Sequence, residues 1–159
     1  DFLKDCKYTA AVEALCVDID ADALEFTDRL VNHFAHDATI HLMRENLVKW
    51  ALGRIQHDFR PQDIIYSAGL MDYLQDKLFV KMIDRCHAQL KPGGVLILGN
   101  FGTGNQNRNI MEHLLHWSLI YRDEDTLRDL FSQSRFGDGD IRILSEKQGI
   151  NLFALATKS

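Results

Sequence analysis

Asp18 ends an apolar run over residues 12–19, and a carboxylate at a strand end can accept two hydrogen bonds from the vicinal hydroxyls of a ribose. Asp20, two residues on, precedes Ala21-Asp22-Ala23-Leu24-Glu25 and reads as a helix N-cap instead. Further along, Tyr73, Asn100, Trp117, Tyr121 and Arg122 combine aromatic walls with polar groups, which suits a pocket for a small acceptor molecule. Arg122 would pair a carboxylate there through the fork of its guanidinium. The His residues are scattered: His33 with His36 and His113 with His116 lie three apart without matching carboxylates, so no metal site is expected. No His-Asp pair stands out, and no catalytic residue is assigned.

These residues need elements to position them. Residues 12–19 suit a buried strand, followed by a helix carried by Leu24, Asp28, Leu30, Val31 and Phe34. Residues 38–43 form a second strand candidate and residues 46–55 a short helical stretch with Gly53 near its end. Residues 63–69 read as a central strand ending in small residues. The spacing of Leu78, Phe79, Met82, Ile83, Cys86 and Leu90 predicts an amphipathic helix that stops at Lys91-Pro92-Gly93-Gly94. Residues 95–101 are uniformly apolar, as a strand covered on both faces should be.

A Gly and Asn loop over 102–107 leads to an expected helix holding Ile110, Leu114, Leu115, Trp117 and Leu119. A further helix over 123–131 would bury Leu127, Leu130 and Phe131. Two strands, 140–144 and 150–156, follow with only a polar turn between them, so they should form an antiparallel hairpin. Strands alternating with helices imply right-handed crossovers and a mainly parallel sheet with helices on both faces. The fold class is therefore α/β and Rossmann-like, with an antiparallel hairpin at the end and one domain over residues 1–159.

Composition narrows the function. The chain has 159 residues, 18 Lys plus Arg against 23 Asp plus Glu, and a formal charge of −5. That balance offers no sequence-wide attraction to phosphate backbones, and no nucleic-acid partner is expected. No apolar run approaches the roughly 18 to 20 residues of a membrane span. Cys6, Cys16 and Cys86 are widely spaced and odd in number, which fits a reduced, cytoplasmic setting.

One stretch is more specific. Asp63-Ile64-Ile65-Tyr66-Ser67-Ala68-Gly69-Leu70-Met71-Asp72-Tyr73-Leu74, then a helix, then Leu90-Lys91-Pro92-Gly93-Gly94-Val95-Leu96-Ile97-Leu98-Gly99-Asn100-Phe101 resembles the fourth and fifth strand regions of class I S-adenosylmethionine-dependent methyltransferases. Val17-Asp18-Ile19-Asp20 is similar to that family's second strand. The resemblance implies S-adenosylmethionine as cofactor, with Asp18 and Ile19 at its ribose, Asn46, which also reads as a plain helix start, at its adenine, and Ser67, Ala68 and Gly69 leaving the strand end open to it. Tyr73, Asn100, Trp117, Tyr121 and Arg122 would then face the methyl acceptor. Gly69-Leu70-Met71-Asp72-Tyr73-Leu74, Gly99-Asn100-Phe101 and Trp117-Ser118-Leu119-Ile120-Tyr121-Arg122 are further similar to bacterial enzymes that make 3-hydroxy fatty acid methyl esters, such as 3-hydroxypalmitic acid methyl ester. That implies a fatty-acid carboxylate as acceptor, already ionised at neutral pH and in need of no general base.

The chain departs from the family at one point. No GxGxG occurs, and the family's first strand and glycine-rich loop should precede Asp18 by one helix. The expectation is that the first strand is missing and that the domain is partial. Two rival readings remain open. A nicotinamide-dependent dehydrogenase shares the acid after the second strand but predicts neither the Leu-Lys-Pro-Gly-Gly entry nor the hairpin. A non-catalytic module that has lost cofactor binding would instead use an exposed sheet edge to form a homodimer.

Overall fold

A computed structural model describes residues 11–33, 37–57 and 59–159. The chain folds as two compact units, Asp1–Ile55 and Gln56–Ser159, each treated by itself.

The first unit holds two strands, β1 (Glu13–Asp18) and β2 (Thr39–Arg44), and two helices, α1 (Ala21–Asn32) and α2 (Leu47–Ala51). The strands pair in parallel, in register from Glu13 opposite Thr39 to Asp18 opposite Arg44. α1 begins where expected: Asp20 has extended angles and its side chain accepts from the Asp22 N–H at 2.9 Å. With Asp22 in the first turn and Arg29 in the last, charge follows the helix dipole. No residue of α1 is fully buried, and Phe26 and Leu30 are exposed. Phe34, His36 and Cys6 lie outside the described residues. α2 buries Trp50 and Ala51, and Gly53 just beyond it takes a φ of 71°, which glycine adopts without strain.

The second unit contains β3 (Gln62–Ser67), a 3₁₀ turn (Met71–Tyr73), α3 (Asp76–Gln89), β4 (Leu90–Phe101), a π-helical turn (Ile110–Leu114), α4 (Glu124–Ser132), β5 (Ile141–Ser145) and β6 (Asn151–Thr157). The sheet order is β3-β4-β6-β5. β3 and β4 run parallel, while β6 is antiparallel to both β4 and β5. The final hairpin therefore forms as expected, with its second strand inside the sheet and its first at the edge. The strands fall into two hydrogen-bonded sheets, one per unit.

Alternation along β4 and β6 turns Leu96, Leu98, Ala154 and Ala156 to one face, and all four are buried. α3 contributes Phe79, Met82, Ile83 and Cys86 to the core, and α4 contributes Leu127, Leu130 and Phe131, at the spacings the sequence predicts. Each such side chain stabilises by roughly 1.5 to 3 kcal/mol on burial. Burial also pushes the Cys86 thiol up to about 12, so it stays protonated and unreactive. The opposite face of the sheet keeps Ile64, Tyr66 and Leu144 exposed.

Two boundaries differ from expectation. β4 starts at Leu90 rather than near residue 95, and Lys91-Pro92-Gly93-Gly94 bulges out between Leu90, opposite Gln62, and Val95, opposite Ile64. Gly93 takes a φ of 78°, and a Cβ on Gly94 would lie 2.9 Å from the Lys91 carbonyl and 3.0 Å from that of Gln62. The expected helix over residues 110–119 is a π turn of five residues. His116 takes a φ of 50° and the Trp117 N–H reaches back to the Met111 carbonyl at 2.8 Å, which ends the helix before Trp117 and Leu119.

Candidate functional site

Ligands of parallel α/β sheets bind beyond the carboxyl ends of the strands. In the first unit that position holds Asp18 and Ile19 after β1, and Arg44, Glu45 and Asn46 after β2. Two contacts tie these ends together: the Glu45 N–H donates to the Asp18 carbonyl at 2.9 Å, and Arg44 Nε to the Ile19 carbonyl at 3.0 Å. Asp18 is exposed, and its Oδ1 accepts the Asp20 N–H at 2.9 Å. A carboxylate has about four acceptor positions, so it keeps the capacity to receive a pair of hydroxyls. Ile19 is 55% exposed and offers an apolar wall beside it. Asn46 caps α2, its Oδ1 accepting from the Lys49 N–H at 2.9 Å. The structure thus brings Asp18, Ile19 and Asn46 to one end of one strand pair.

In the second unit Ser67, Ala68 and Gly69 follow β3. Ala68 and Gly69 are exposed, and a Cβ on Gly69 would meet nothing within 4 Å. The crowded glycine here is Gly99 on β4: a Cβ there would lie 3.2 Å from the Ala68 Cα and 3.1 Å from the Phe153 ring. Gly99 is what lets the end of β3 lie close against β4, while the small residues 67–69 leave the strand end open.

Arg122 is the main correction. It is 2% exposed and all five of its N–H donors are engaged. Nη1 donates to the Met71 carbonyl at 3.2 Å and to Asn100 Oδ1 at 2.7 Å. Nη2 donates to the Leu74 carbonyl at 2.6 Å and to Asp76 Oδ1 at 2.8 Å, and Nε to the same oxygen at 3.2 Å. Its guanidinium also lies 4.5 Å from the centre of the Phe79 ring. No donor remains for an acceptor carboxylate. Asn100 is corrected with it: the residue is 1% exposed, and its Nδ2 donates to the carbonyls of Phe101 and Ile120, both at 2.9 Å.

Tyr73, Trp117 and Tyr121 do come together, around Phe101. Trp117 and Tyr121 set their rings edge-on to Phe101 at 6.2 and 6.3 Å. Trp117 Nε1 donates to the Tyr73 hydroxyl at 2.6 Å, and the Arg108 guanidinium stacks on Tyr121 at 4.6 Å. Trp117 is 42% exposed, so it is no core residue on a helix. Burial, and secondarily Glu112, pushes the Tyr121 phenol up, which keeps it a neutral group.

Asp72 went unassigned in the sequence. It is 1% exposed; its Oδ1 accepts the Phe101 N–H at 2.6 Å, and its carbonyl accepts the Ile120 N–H at 2.8 Å. Burial raises its pKa, against the lowering effect of the Phe101 N–H and of Arg122. The available signal was an acid in the otherwise apolar run over residues 69–74. Together Asp72, Asn100 and Arg122 lock the 3₁₀ turn, the end of β4 and residues 120–122 into one frame beneath the aromatic cluster. Among the described residues no group of three or more His, Cys, Asp or Glu side chains is placed to hold a metal ion.

No family model matches the chain, and no curated protein does. Solved structures do. A protein from Bordetella parapertussis, described as a possible exported protein, is 21% identical with a TM-score of 0.73, over 92% of this chain and 53% of that one. A SAM-dependent methyltransferase from Methanosarcina mazei is 17% identical with a TM-score of 0.62, over 92% of this chain and 82% of that one. The N-methyltransferase NodS from Bradyrhizobium japonicum WM9, solved with S-adenosyl-L-homocysteine, is 14% identical with a TM-score of 0.60, over 91% of this chain and 65% of that one. The chain spans about half the length of the first of these. At such identities the likeness establishes the fold alone, a Rossmann-like α/β fold with an antiparallel final hairpin. No described helix is long and apolar enough to cross a membrane.

Proposed function

We propose that this chain is the greater part of a class I methyltransferase domain that uses S-adenosylmethionine to methylate an oxygen of a small molecule. The observation that carries this is the gathering of Asp18, Ile19 and Asn46 at the carboxyl ends of β1 and β2 on a fold shared with methyltransferases. The exposed Asp18 carboxylate fits a ribose diol, and the open space at Gly69 leaves a second strand end unobstructed. S-adenosylmethionine, when bound, supplies a methyl group on a sulfonium sulfur. The chain's own residues then act by holding: in the first unit Asp18 accepts hydroxyls and Ile19 and Asn46 flank the base, and in the second the aromatic cluster offers its surface to an acceptor.

The narrower reading, a fatty-acid carboxylate giving a methyl ester, draws support from exposed Ile110, Leu114 and Leu115, which suit an acyl chain. Arg122 would not hold its head group. A cytoplasmic location, and a homodimer through an exposed sheet edge, belong to the same proposal.

The test is calorimetric titration of S-adenosylhomocysteine into this chain and into a polypeptide extended upstream by about one strand and helix. Binding by the extended chain is expected, with Asp18→Ala weakening it by about 1 to 3 kcal/mol. Unchanged affinity would remove Asp18 from the site. If neither polypeptide binds, the non-catalytic module replaces the enzyme.

A further inference from the structure

Resting on the acceptor-pocket reading above, we infer that Tyr73 and Trp117 form a positioning pair: the indole holds the phenol so that its own proton points at an oxygen of the bound acceptor. The phenol oxygen accepts from Trp117 Nε1 at 2.6 Å, a contact that spends the indole's single donor. The phenolic hydrogen has no acceptor among the described residues, and Tyr73 is 54% exposed. A hydroxyl that already accepts a hydrogen bond is a stronger donor, because successive bonds in a chain polarise one another. The geometry also fixes direction. Trp117 is held by its N–H on the Met111 carbonyl at 2.8 Å and by its edge-on contact with Phe101, and Tyr73 by its N–H on the Leu70 carbonyl at 3.2 Å.

The surroundings make this donor selective. The polar groups beneath it are engaged: Arg122 and Asn100 bond within the frame, and Asp72 takes the Phe101 N–H. The π turn whose Met111 carbonyl holds the Trp117 N–H carries exposed Ile110 and Leu114, with exposed Leu115 next to it. An acceptor molecule meeting this patch finds apolar surface and one oriented phenol. The matching ligand is a largely hydrocarbon molecule with a hydrogen-bond-accepting oxygen, and the bond from Tyr73 sets how that oxygen is held.

The experiment compares two probes of similar shape, 2-acetylnaphthalene, which carries a carbonyl, and 2-ethylnaphthalene, which does not, by equilibrium dialysis with the full chain. The parent chain should bind the ketone more tightly than the hydrocarbon. Tyr73→Phe removes one oxygen from a half-open position and should weaken the ketone about tenfold while leaving the hydrocarbon unchanged. Trp117→Phe keeps an aromatic ring, loses the Nε1 donor, and should shift the ketone in the same direction. A merely structural clasp would weaken both probes together. Equal loss of both, no change in either, or no ketone binding by the parent chain overturns the proposal. Titration of the same proteins with S-adenosylhomocysteine separates the two readings: ketone selectivity without cofactor binding removes methyl transfer and keeps the oriented donor, and the reverse removes Tyr73 alone.

Discussion

The two units hold their candidate residues in opposite ways. In the first, β1, β2 and α1 contain no fully buried residue, and Asp18, Ile19 and Asn46 rest on a pair of half-open strands and their backbone contacts. In the second, the aromatic cluster stands on a core in which Phe79, Ile83, Leu127 and Phe131 are wholly buried, clamped by Arg122 at its centre. The difference teaches that candidate residues in two units of one chain can be secured by different physics. One set is placed by local capping and strand register, the other by long-range polar contacts in a dry interior.

Substitutions can break that contrast. The largest effect belongs to Arg122→Met, which strands Asp76, Asn100 and two carbonyls without their donors. Asp76 is 62% exposed and turns to water, so the cost falls on the buried neutral acceptors, about 1 to 3 kcal/mol for each left without a donor. Native-state hydrogen exchange should show this loss in β4 and α3, with the amides of β1 and β2 unchanged. Asp20→Ala should come next, at about 1 kcal/mol for the lost N-cap, and confined to α1. If both variants speed exchange equally in both units, the two regions are one cooperative body and the contrast fails.

The smallest effect is a pH dependence. The folded chain favours protonated Asp72, because burial raises its pKa. Stability from that proton is therefore fully present below the ordinary carboxylate range and is lost as pH rises through the raised value. Asp72→Asn lacks this loss, so its Tm relative to the parent should climb as pH rises across that window. A constant Tm difference would show that Asp72 does not titrate with folding.

Much of the fold was legible because it is written in local spacing. The apolar faces of α3 and α4, the cap at Asp20 and the final hairpin all follow from residues within a turn or two of one another. The π turn was not legible. Ile110, Leu114 and Leu115 keep a helical period, but the left-handed His116 and the Trp117 bond to Met111 depend on backbone geometry that side-chain pattern does not encode. Arg122 was misread for a related reason. A forked cation beside aromatics resembles a ligand grip, and its partners at Met71, Leu74, Asp76 and Asn100 are 22 to 51 residues away along the chain.

The place of β6 between β4 and β5 has a kinetic consequence. Along the chain β5 comes first, yet it has no seat on the sheet until β6 lies beside β4. The two strands are joined by a short turn in which Glu146 accepts N–H groups from Gln148, Ile150 and Asn151, so they can zip together early, on a timescale of about 1 to 10 μs for a hairpin. The slow step is then the docking of a finished ribbon onto β4, a non-local closure that pairs Phe101 with Asn151 and Val95 with Thr157. Until that docking, the side of β4 awaiting β6 is an open strand edge, and a ribbon from another molecule could take the vacancy as readily as the chain's own.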